Sequence, residues 1–481
     1  MSGFFAIYSD VIALAALLFY AVAIISAIEA TYKVRTSQGA IAWSISLLTF
    51  PIIALPLYLV LGRNRFDGYS DQRIQIAEQA RQLFKHSNDH LQGHIVELGR
   101  DCTVFDSLLN LTSMPATRGN EVELLVDGEA TFASIEQALK SAASFILFEF
   151  YIISDDALGQ KLADVLLERA AAGVSVFVLF DEIGSRPFSK SKLRKKMADG
   201  GIEISPFNTT RGRRNRFQLN FRNHRKIVVV DGKHAWIGGH NVGIEYLGQD
   251  ERFGEWRDTH VKITGPAVLG AQITFATDWL WATQQTLNIP WPTQVEPTGD
   301  CEVMVFPSDP ASEFEEAGLM YHQLIVDARK RIWIASPYFV PDRAIISALQ
   351  LAAFRGVDVR ILIPESVDVK MVGLANWAFF RELLPAGVRI YSYCGGFMHQ
   401  KVLLMDDDLA GVGTANFDNR SFRLNFEVTA LIRNADFGYK VYQMLKTDIG
   451  RCKPLSLADV ESKPLWFRVG MNIARLFSPV L

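Results

Sequence analysis

The chain carries the same eighteen-residue element at two places. The first copy reads His224-Arg225-Lys226, four apolar residues, Asp231, six residues, then Gly238-Gly239-His240-Asn241. The second reads His399-Gln400-Lys401, four residues, Asp406, six residues, then Gly413-Thr414-Ala415-Asn416. Both follow the pattern HxKx4Dx6GxxN. Five fixed positions give a chance match on the order of 10⁻⁶ per starting residue. Two copies therefore mark a duplication, and each must sit in its own copy of one fold.

The surroundings repeat as well. The first copy is preceded by Val122-Glu123-Leu124-Leu125, an apolar strand over 145–153, a helix over 158–172, and strands opened by Gly173-Val174-Ser175-Val176 and Gly201-Ile202-Glu203-Ile204. The second is preceded by Glu302-Val303-Met304-Val305, a strand over 331–340, an apolar helix over 345–354, then Gly356-Val357-Asp358-Val359 and Gly387-Val388-Arg389-Ile390. Strands alternating with helices predict an α/β protein with a mixed sheet in each half. The expected lobes are 121–283 and 301–453. A linker over 284–300 joins them, marked by Pro290, Pro292, Pro297 and Gly299. Two alike halves imply a pseudo-two-fold pair with one shared site at the seam.

The spacing within the element makes chemical sense. His and Lys two apart on a strand project from one face. Asp231-Gly232 suits a hairpin turn, and the return strand brings Gly238, Gly239 and Asn241 back beside the pair. Glycine lets a bulky anion approach the backbone. Each half thus offers an imidazole, an ammonium and an amide. Together they make two histidines over a cradle of donors suited to a phosphodiester.

A second constraint lies at the N-terminus. Residues 11–28 carry no charge, and neither do the 22 residues 40–61. About 20 apolar residues cross a bilayer core, so spans are expected at about 8–28 and 40–61 within a hairpin over 1–65. Pro51 and Pro56 are tolerated in membrane helices. Residues 2–10 contain Asp10 and no Lys or Arg, which argues against a secretory signal. Lys33 and Arg35 lie between the spans, while Arg63, Arg65, Arg73 and Arg81 follow the second. That excess predicts that both ends, and everything after the hairpin, face the cytoplasm. Two spans argue against a transporter or channel.

A polar connector over 66–120 follows. His86, His90 and His94 there could share one helix face but read as a solvated polar face. The 49 basic and 52 acidic residues and a pI near 6.3 argue against nucleic acid as a partner. Cys102, Cys301, Cys394 and Cys452 are scattered and signal neither a disulfide framework nor a zinc site. No metal-ligand set is visible, and two lysines can do the electrostatic work of a metal ion. In a tail over 454–481, Arg468, Asn472 and Arg475 share one helical face, opposite Trp466, Val469, Ile473 and Phe477. This suits an interfacial helix or packing on the globular body.

The duplicated element resembles that of the phospholipase D superfamily, the HKD enzymes. Within it, the chain is similar to the bacterial cardiolipin synthases of the two-span type. The likeness extends to Gly62-Arg63-Asn64-Arg65, Phe148-Glu149-Phe150-Tyr151, Trp256-Arg257-Asp258-Thr259-His260 and Asn416-Phe417-Asp418-Asn419-Arg420-Ser421. The first motif has Gly239 where many relatives have Ser, and the second has Thr414; little effect is expected, since backbone donors remain. The resemblance implies a catalytic set of His224, Lys226, Asp231, His399, Lys401 and Asp406, with Asp231 and Asp406 structural in character. It implies a two-step transfer without a cofactor, through a phosphohistidine on His224, with His399 as acid and base. An unperturbed histidine titrates near 6.5, so one neutral and one protonated imidazole can coexist at neutral pH.

Lys226, Lys401, Asn241 and Asn416 would bind the nonbridging oxygens. Asp258 would orient His399, and Glu427 would orient His224. The implied substrates are two phosphatidylglycerols in a bacterial cytoplasmic membrane, giving cardiolipin and glycerol. Arg211, Arg213, Arg214, Arg216 and Arg222 would contact anionic headgroups or form a solvated loop. The motifs alone are equally compatible with a hydrolase or with transfer to another alcohol, and they leave a homo-oligomer open. A nuclease fits poorly with the acidic pI and the apolar N-terminus. A scaffold with a dead site fits poorly with two complete motifs.

Overall fold

The computed structural model describes residues 2–34, 36–62, 66, 69, 93–96, 103–210, 220–291 and 296–480. The chain divides into two units, residues 1–67 with 209–221 and residues 68–208 with 222–481.

In the first unit the apolar N-terminus forms one unbroken helix, Ser2–Lys33. Its stretch Val11–Lys33 is, among the described residues, the one helix long and apolar enough to cross a membrane. Leu17 and Ile25 are more than 60% exposed, as lipid-facing residues are. The second expected span is helical but interrupted. Thr36 caps a helix Ser37–Thr49, its hydroxyl accepting the Gly39 amide at 3.2 Å. The helix then stops at Phe50, since a residue before proline is pushed out of the α region, and Phe50 has φ −131° and ψ 57°. A second helix Pro51–Leu57 follows. Pro56 removes a backbone donor within it, and the chain continues as a π turn, Tyr58–Gly62. The expected single helix over 40–61 is thus two helices and a turn. Ala27 and Ala30 pack against Leu47, Ala54, Leu55 and Tyr58, small residues allowing close approach between helices.

The second unit holds the two halves. The first contributes β1 (Thr117–Val126), β2 (Phe145–Phe150), β3 (Ser175–Phe180), β4 (Glu203–Pro206), β5 (Ile227–Val230), β6 (His234–Gly238) and β7 (Thr259–Thr264). The second contributes β8 (Cys301–Ser308), β9 (Arg331–Ala335), β10 (Asp358–Pro364), β11 (Arg389–Tyr393), β12 (Val402–Met405), β13 (Leu409–Gly413) and β14 (Asn425–Arg433). The first half is ordered β4-β3-β2-β5-β6-β7-β1, and the second β11-β10-β9-β12-β13-β14-β8. Each strand therefore has its counterpart in the same place. The β2-β3-β4 and β9-β10-β11 ladders are parallel and the rest of each half antiparallel, the mixed sheets read from the sequence. What the sequence did not foretell is their fusion. β1 and β8 pair antiparallel, Thr117 opposite Val303, so both halves belong to one sixteen-stranded sheet.

The central parallel strands β2, β3 and β9 are buried along nearly their whole length, which explains their apolar runs. In the first half Ile146, Phe148 and Val178 pack with Ile135, Leu139 and Leu162 from the helices. In the second, Ile332, Ile334 and Ile361 pack with Leu324, Leu349 and Phe380. Each such side chain contributes about 1.5–3 kcal/mol by burial. Asp156 and Asp342 cap corresponding helices, Ala157–Ala171 and Arg343–Phe354. The helix Thr103–Thr112 adds Val104, Phe105 and Leu108 to the second core. In the tail, helix Leu465–Leu476 buries Met471 and Ala474, and Trp466, Val469, Ile473 and Phe477 are exposed. Arg475 pairs with Glu382 at 2.6 Å.

Candidate active site

Each motif folds as a hairpin whose turn is held by its aspartate. Asp231 and Asp406 both take φ near 53°, which an Asp tolerates at a tight turn. The Asp231 carboxylate accepts the amides of Ala143, Ser144 and Phe145 at 2.9, 2.8 and 3.0 Å. The Asp406 carboxylate accepts those of Arg329, Lys330 and Arg331 at 3.1, 2.7 and 3.1 Å. Both are occupied in tying the hairpin to the start of β2 or β9.

Opposite that turn, each histidine is placed by a short strand pair running between the halves. Arg222–Asn223 pairs in parallel with Asn425–Phe426, and the His224 amide donates to the Phe426 carbonyl at 2.9 Å. The next residue, Glu427, then meets the His224 ring, Nδ1 to Oε2 at 2.9 Å. The second site repeats this. Phe397–Met398 pairs in parallel with Trp256–Arg257, the His399 amide donates to the Arg257 carbonyl at 2.8 Å, and His399 Nδ1 lies 2.8 Å from Asp258 Oδ2. The carboxylate beside each histidine thus belongs to the other half.

The lysines close the site. Lys226 Nζ donates to the His224 carbonyl at 2.6 Å and lies 5.3 Å from the centre of the Tyr151 ring. That ring packs against His224 at 4.9 Å. Lys401 Nζ donates to the His399 carbonyl and lies 3.1 Å from His399 Nε2. Asn241 accepts the Ile152 amide at 3.1 Å and donates to the Tyr246 hydroxyl at 2.8 Å, leaving one Nδ2 hydrogen for another acceptor. The Asn416 amide donates to Ser421 Oγ at 3.1 Å. The Asn416 side-chain oxygen is buried without a hydrogen-bond partner among the described residues.

All these groups are buried, and burial dominates their acidity. It pulls His224 down to about 4, with Glu427 opposing and Lys226 and Lys401 assisting. Burial and Lys401 pull His399 to about 4, against the pull of Asp258. The protein's own charges therefore leave both imidazoles neutral at pH 7, in contrast to the pairing of one neutral and one protonated ring expected from unperturbed values. Burial lowers Lys226 to about 7, with Lys401 also repelling it, and lowers Lys401 to about 8 against the pull of Asp258 and Glu427. Burial raises the two carboxyls, but for Asp258 this is outweighed by Lys401, His240 and His399, and for Glu427 by His224, Lys226 and the Thr414 hydroxyl. Both stay below the usual carboxylate range. Each lysine acts on the histidine of the opposite motif, so the two motifs form one electrostatic site.

Sequence reasoning missed the buried arginines behind the carboxylates. Arg225 pairs with both oxygens of Asp278 at 2.6 and 2.7 Å and donates to the backbone carbonyl of Glu427 at 3.0 Å. Arg257 pairs with Asp448 at 2.8 Å through two nitrogens and donates to the carbonyl of Asp258 at 2.6 Å. Their positions next to His224 and Asp258 were the available signal. Among the described residues no group of His, Cys, Asp and Glu could hold a metal ion. His86, His90, Arg35, Arg63, Arg65, Arg73, Arg81, Arg211, Arg213, Arg214, Arg216 and Cys102 lie outside the described residues.

The family model described as "Cardiolipin synthase, PLD-like domain" matches residues 135–252 and 321–449. A protein of Pseudomonas entomophila named Cardiolipin synthase A is 44% identical over 470 residues, covering 96% of this chain and 97% of its own. One of Pseudomonas aeruginosa with the same name is 43% identical over 461 residues, covering 95% and 94%. The crystal structure of a phosphatidylserine synthase from Haemophilus influenzae superposes with a TM-score of 0.60 at 16% identity, covering 79% of this chain and 100% of that one. This last likeness concerns the fold.

Proposed function

The chain belongs to the cardiolipin synthase family of phospholipase D-like enzymes, and from that premise we propose how its residues carry out the synthesis. One observation supports the assignment of roles above others: each buried histidine keeps Nδ1 against a carboxylate of the opposite half. Held this way, His224 donates an Nδ1–H hydrogen bond to the Glu427 carboxylate and keeps a lone pair on Nε2, the state a nucleophile needs.

In the first step His224 Nε2 attacks the phosphorus of a phosphatidylglycerol, in line with the oxygen of the headgroup glycerol. The P–N bond forms, the P–O bond breaks, and His399 gives its proton to the leaving oxygen, releasing glycerol. The anionic phosphodiester brings the negative charge that raises His399 enough to carry that proton. In the second step the terminal hydroxyl of another phosphatidylglycerol attacks phosphorus, His399 takes its proton, and the P–N bond breaks. The products are cardiolipin and free His224. Lys226 and Lys401, with Asn241 and Asn416, steady the nonbridging oxygens as charge moves onto them. Asp231 and Asp406 hold the hairpins.

The chain is associated with the membrane through its N-terminal apolar helix. We further propose that Ser37–Gly62 completes a second crossing despite its break at Pro51, and that the arginines after it keep the catalytic halves, 121–283 and 301–453, in the cytoplasm. The reading is tested by giving the purified full chain labelled phosphatidylglycerol in liposomes. Cardiolipin and glycerol should form in equal amounts, and His224→Ala should abolish both. Phosphatidic acid as the sole lipid product would defeat the synthase reading. A phosphate label trapped on His399 would exchange the two histidine roles.

A further inference from the structure

We propose that the outward face of the C-terminal helix Leu465–Leu476 is a second lipid contact, carried by the catalytic unit itself and seated in the headgroup region of an anionic bilayer. This goes beyond the synthase reading and does not depend on the roles of the histidines.

The helix is fastened along its inner side. Met471 and Ala474 are buried in the core of the second half. Phe467 meets Trp377 of the helix Lys370–Leu383 edge-on, the centroids 5.9 Å apart. Arg475 pairs with Glu382 of that same helix at 2.6 Å. With about 100° of turn per residue, these four residues share one side. Leu465, Trp466, Val469, Ile473, Leu476 and Phe477 fall on the other, and each is 49–78% exposed. A helix lying on a soluble body turns its polar residues outward. This one turns six large apolar residues outward and keeps Arg468 and Asn472 to one edge between the two faces. An apolar patch of this kind marks a surface that something covers.

Charge identifies the cover. Residues 462–479 carry Lys463, Arg468 and Arg475 and no Asp or Glu. Cations bordering an apolar face are the pattern of a helix lying in a membrane interface, and an anionic surface favours each nearby cation by about fivefold. Trp466, at the start of the helix, has the ring that settles at headgroup depth. A second copy of this face would bring more cations and no countercharge. The chain is already associated with a membrane through its N-terminal apolar helix, and phosphatidylglycerol is itself anionic. The surface this face fits is therefore the one that holds the substrate.

The contact has a route to the active site. The turn after the helix, Ser478–Val480, packs beside the helix Asn419–Arg423. Ser421 of that helix accepts the Asn416 amide through its hydroxyl at 3.1 Å. A tail resting on lipid thus holds the second half of the site at the bilayer surface. It should govern capture of substrate from a bilayer and leave the chemistry alone.

The test places the full chain in liposomes of phosphatidylglycerol and phosphatidylcholine whose acyl chains are brominated near the headgroup. Bromine quenches a tryptophan that reaches it. The emission of Trp466, taken as the difference between the wild type and Trp466→Phe, should be lost. An unquenched Trp466 would overturn the proposal, and quenching as deep in phosphatidylcholine alone would overturn the preference for anionic lipid. Val469→Glu with Ile473→Glu charges the outward face without touching the packed one. It should raise the KM for phosphatidylglycerol in liposomes at least about tenfold. It should leave kcat/KM for short-chain phosphatidylglycerol, dispersed below its micellar concentration, unchanged. An unchanged KM in liposomes, or equal loss on both substrates, would overturn the proposal. So would an unquenched Trp466 together with a mass halved by the double variant, which would assign the face to a second copy. A wild-type chain that forms no cardiolipin would defeat the synthase reading and leave the quenching result standing.

Discussion

Thr414 donates its hydroxyl to Glu427 Oε2 at 2.6 Å, whereas the residue in its place in the other half, Gly239, leaves the space that the Asp258 carboxylate fills. A Cβ on Gly239 would lie 2.0 Å from Asp258 Oδ1. The two motifs thus support their carboxylates differently, one by a donor and one by room. Gly239→Ala should push Asp258 away from His399 and lower kcat by about 10–100-fold, the usual cost of losing such a supporting contact. Thr414→Val should cost about 1.5–3 kcal/mol through the lost hydrogen bond to a buried charge. Rates and thermal melting of both variants check this. A Gly239→Ala enzyme with wild-type kcat would contradict the geometry.

The crossing of carboxylates predicts a division of labour. Glu427→Gln leaves His224 in place but removes the charge that fixes its tautomer, and should slow phosphohistidine formation by up to about 10⁴-fold. Asp258→Asn should act on the proton transfers of His399. It should therefore be partly relieved by a donor lipid whose leaving alcohol is more acidic, whereas Glu427→Gln should not be relieved. Single-turnover measurements with the two leaving groups separate these outcomes. Equal relief of both variants would mean that the carboxylates do not act through separate histidines.

Much of this site was legible in the sequence because the motif recurs with identical spacing. Strand and turn periodicity placed His224 with Lys226 and His399 with Lys401. The carboxylates Asp258 and Glu427 came from the family resemblance, since no local pattern links residues 141 and 203 positions apart. The fusion of the two sheets through Thr117 and Val303 was not legible, because edge-strand pairing depends on how two finished halves meet. The break at Pro51 was underweighted: apolar length alone says nothing of the α region being closed to Phe50. Histidine charge was misjudged because reference values ignore the burial that brings His224 and His399 to about 4.

Those acidities predict the pH profile. The nucleophile must be neutral and the acid protonated, so kcat/KM should rise to a maximum near pH 4 as His224 loses its proton and decline above it as His399 loses its own. The lysines must be charged to hold the phosphate oxygens, so the decline should steepen into a basic limb as Lys226 deprotonates near 7 and Lys401 near 8. kcat/KM reports the free enzyme, where these values apply. Lys226→Arg keeps its charge at every accessible pH and should move the basic limb up toward that of Lys401, at some loss of rate. A basic limb that Lys226→Arg leaves in place would show that another group sets it.

Behind the site, Arg225 and Arg257 predict unequal costs for removing their partners. Asp278 is the carboxylate bonded to Arg225, whereas Arg257 has Asp127 at 3.1 Å as well as Asp448. Asp278→Ala leaves a buried guanidinium uncompensated and should cost about 3–5 kcal/mol of stability; Asp448→Ala should cost less. Glu149 sharpens the test. Burial and the neighbouring Asp278 hold its carboxyl well above the usual range, against the pull of Arg225. Without Asp278 that repulsion is gone, and Glu149 can ionise and take up the Arg225 charge as pH rises. The deficit of Asp278→Ala should therefore shrink between acidic and alkaline melts, and adding Glu149→Gln should abolish the recovery. A deficit independent of pH would show that Glu149 does not reach Arg225.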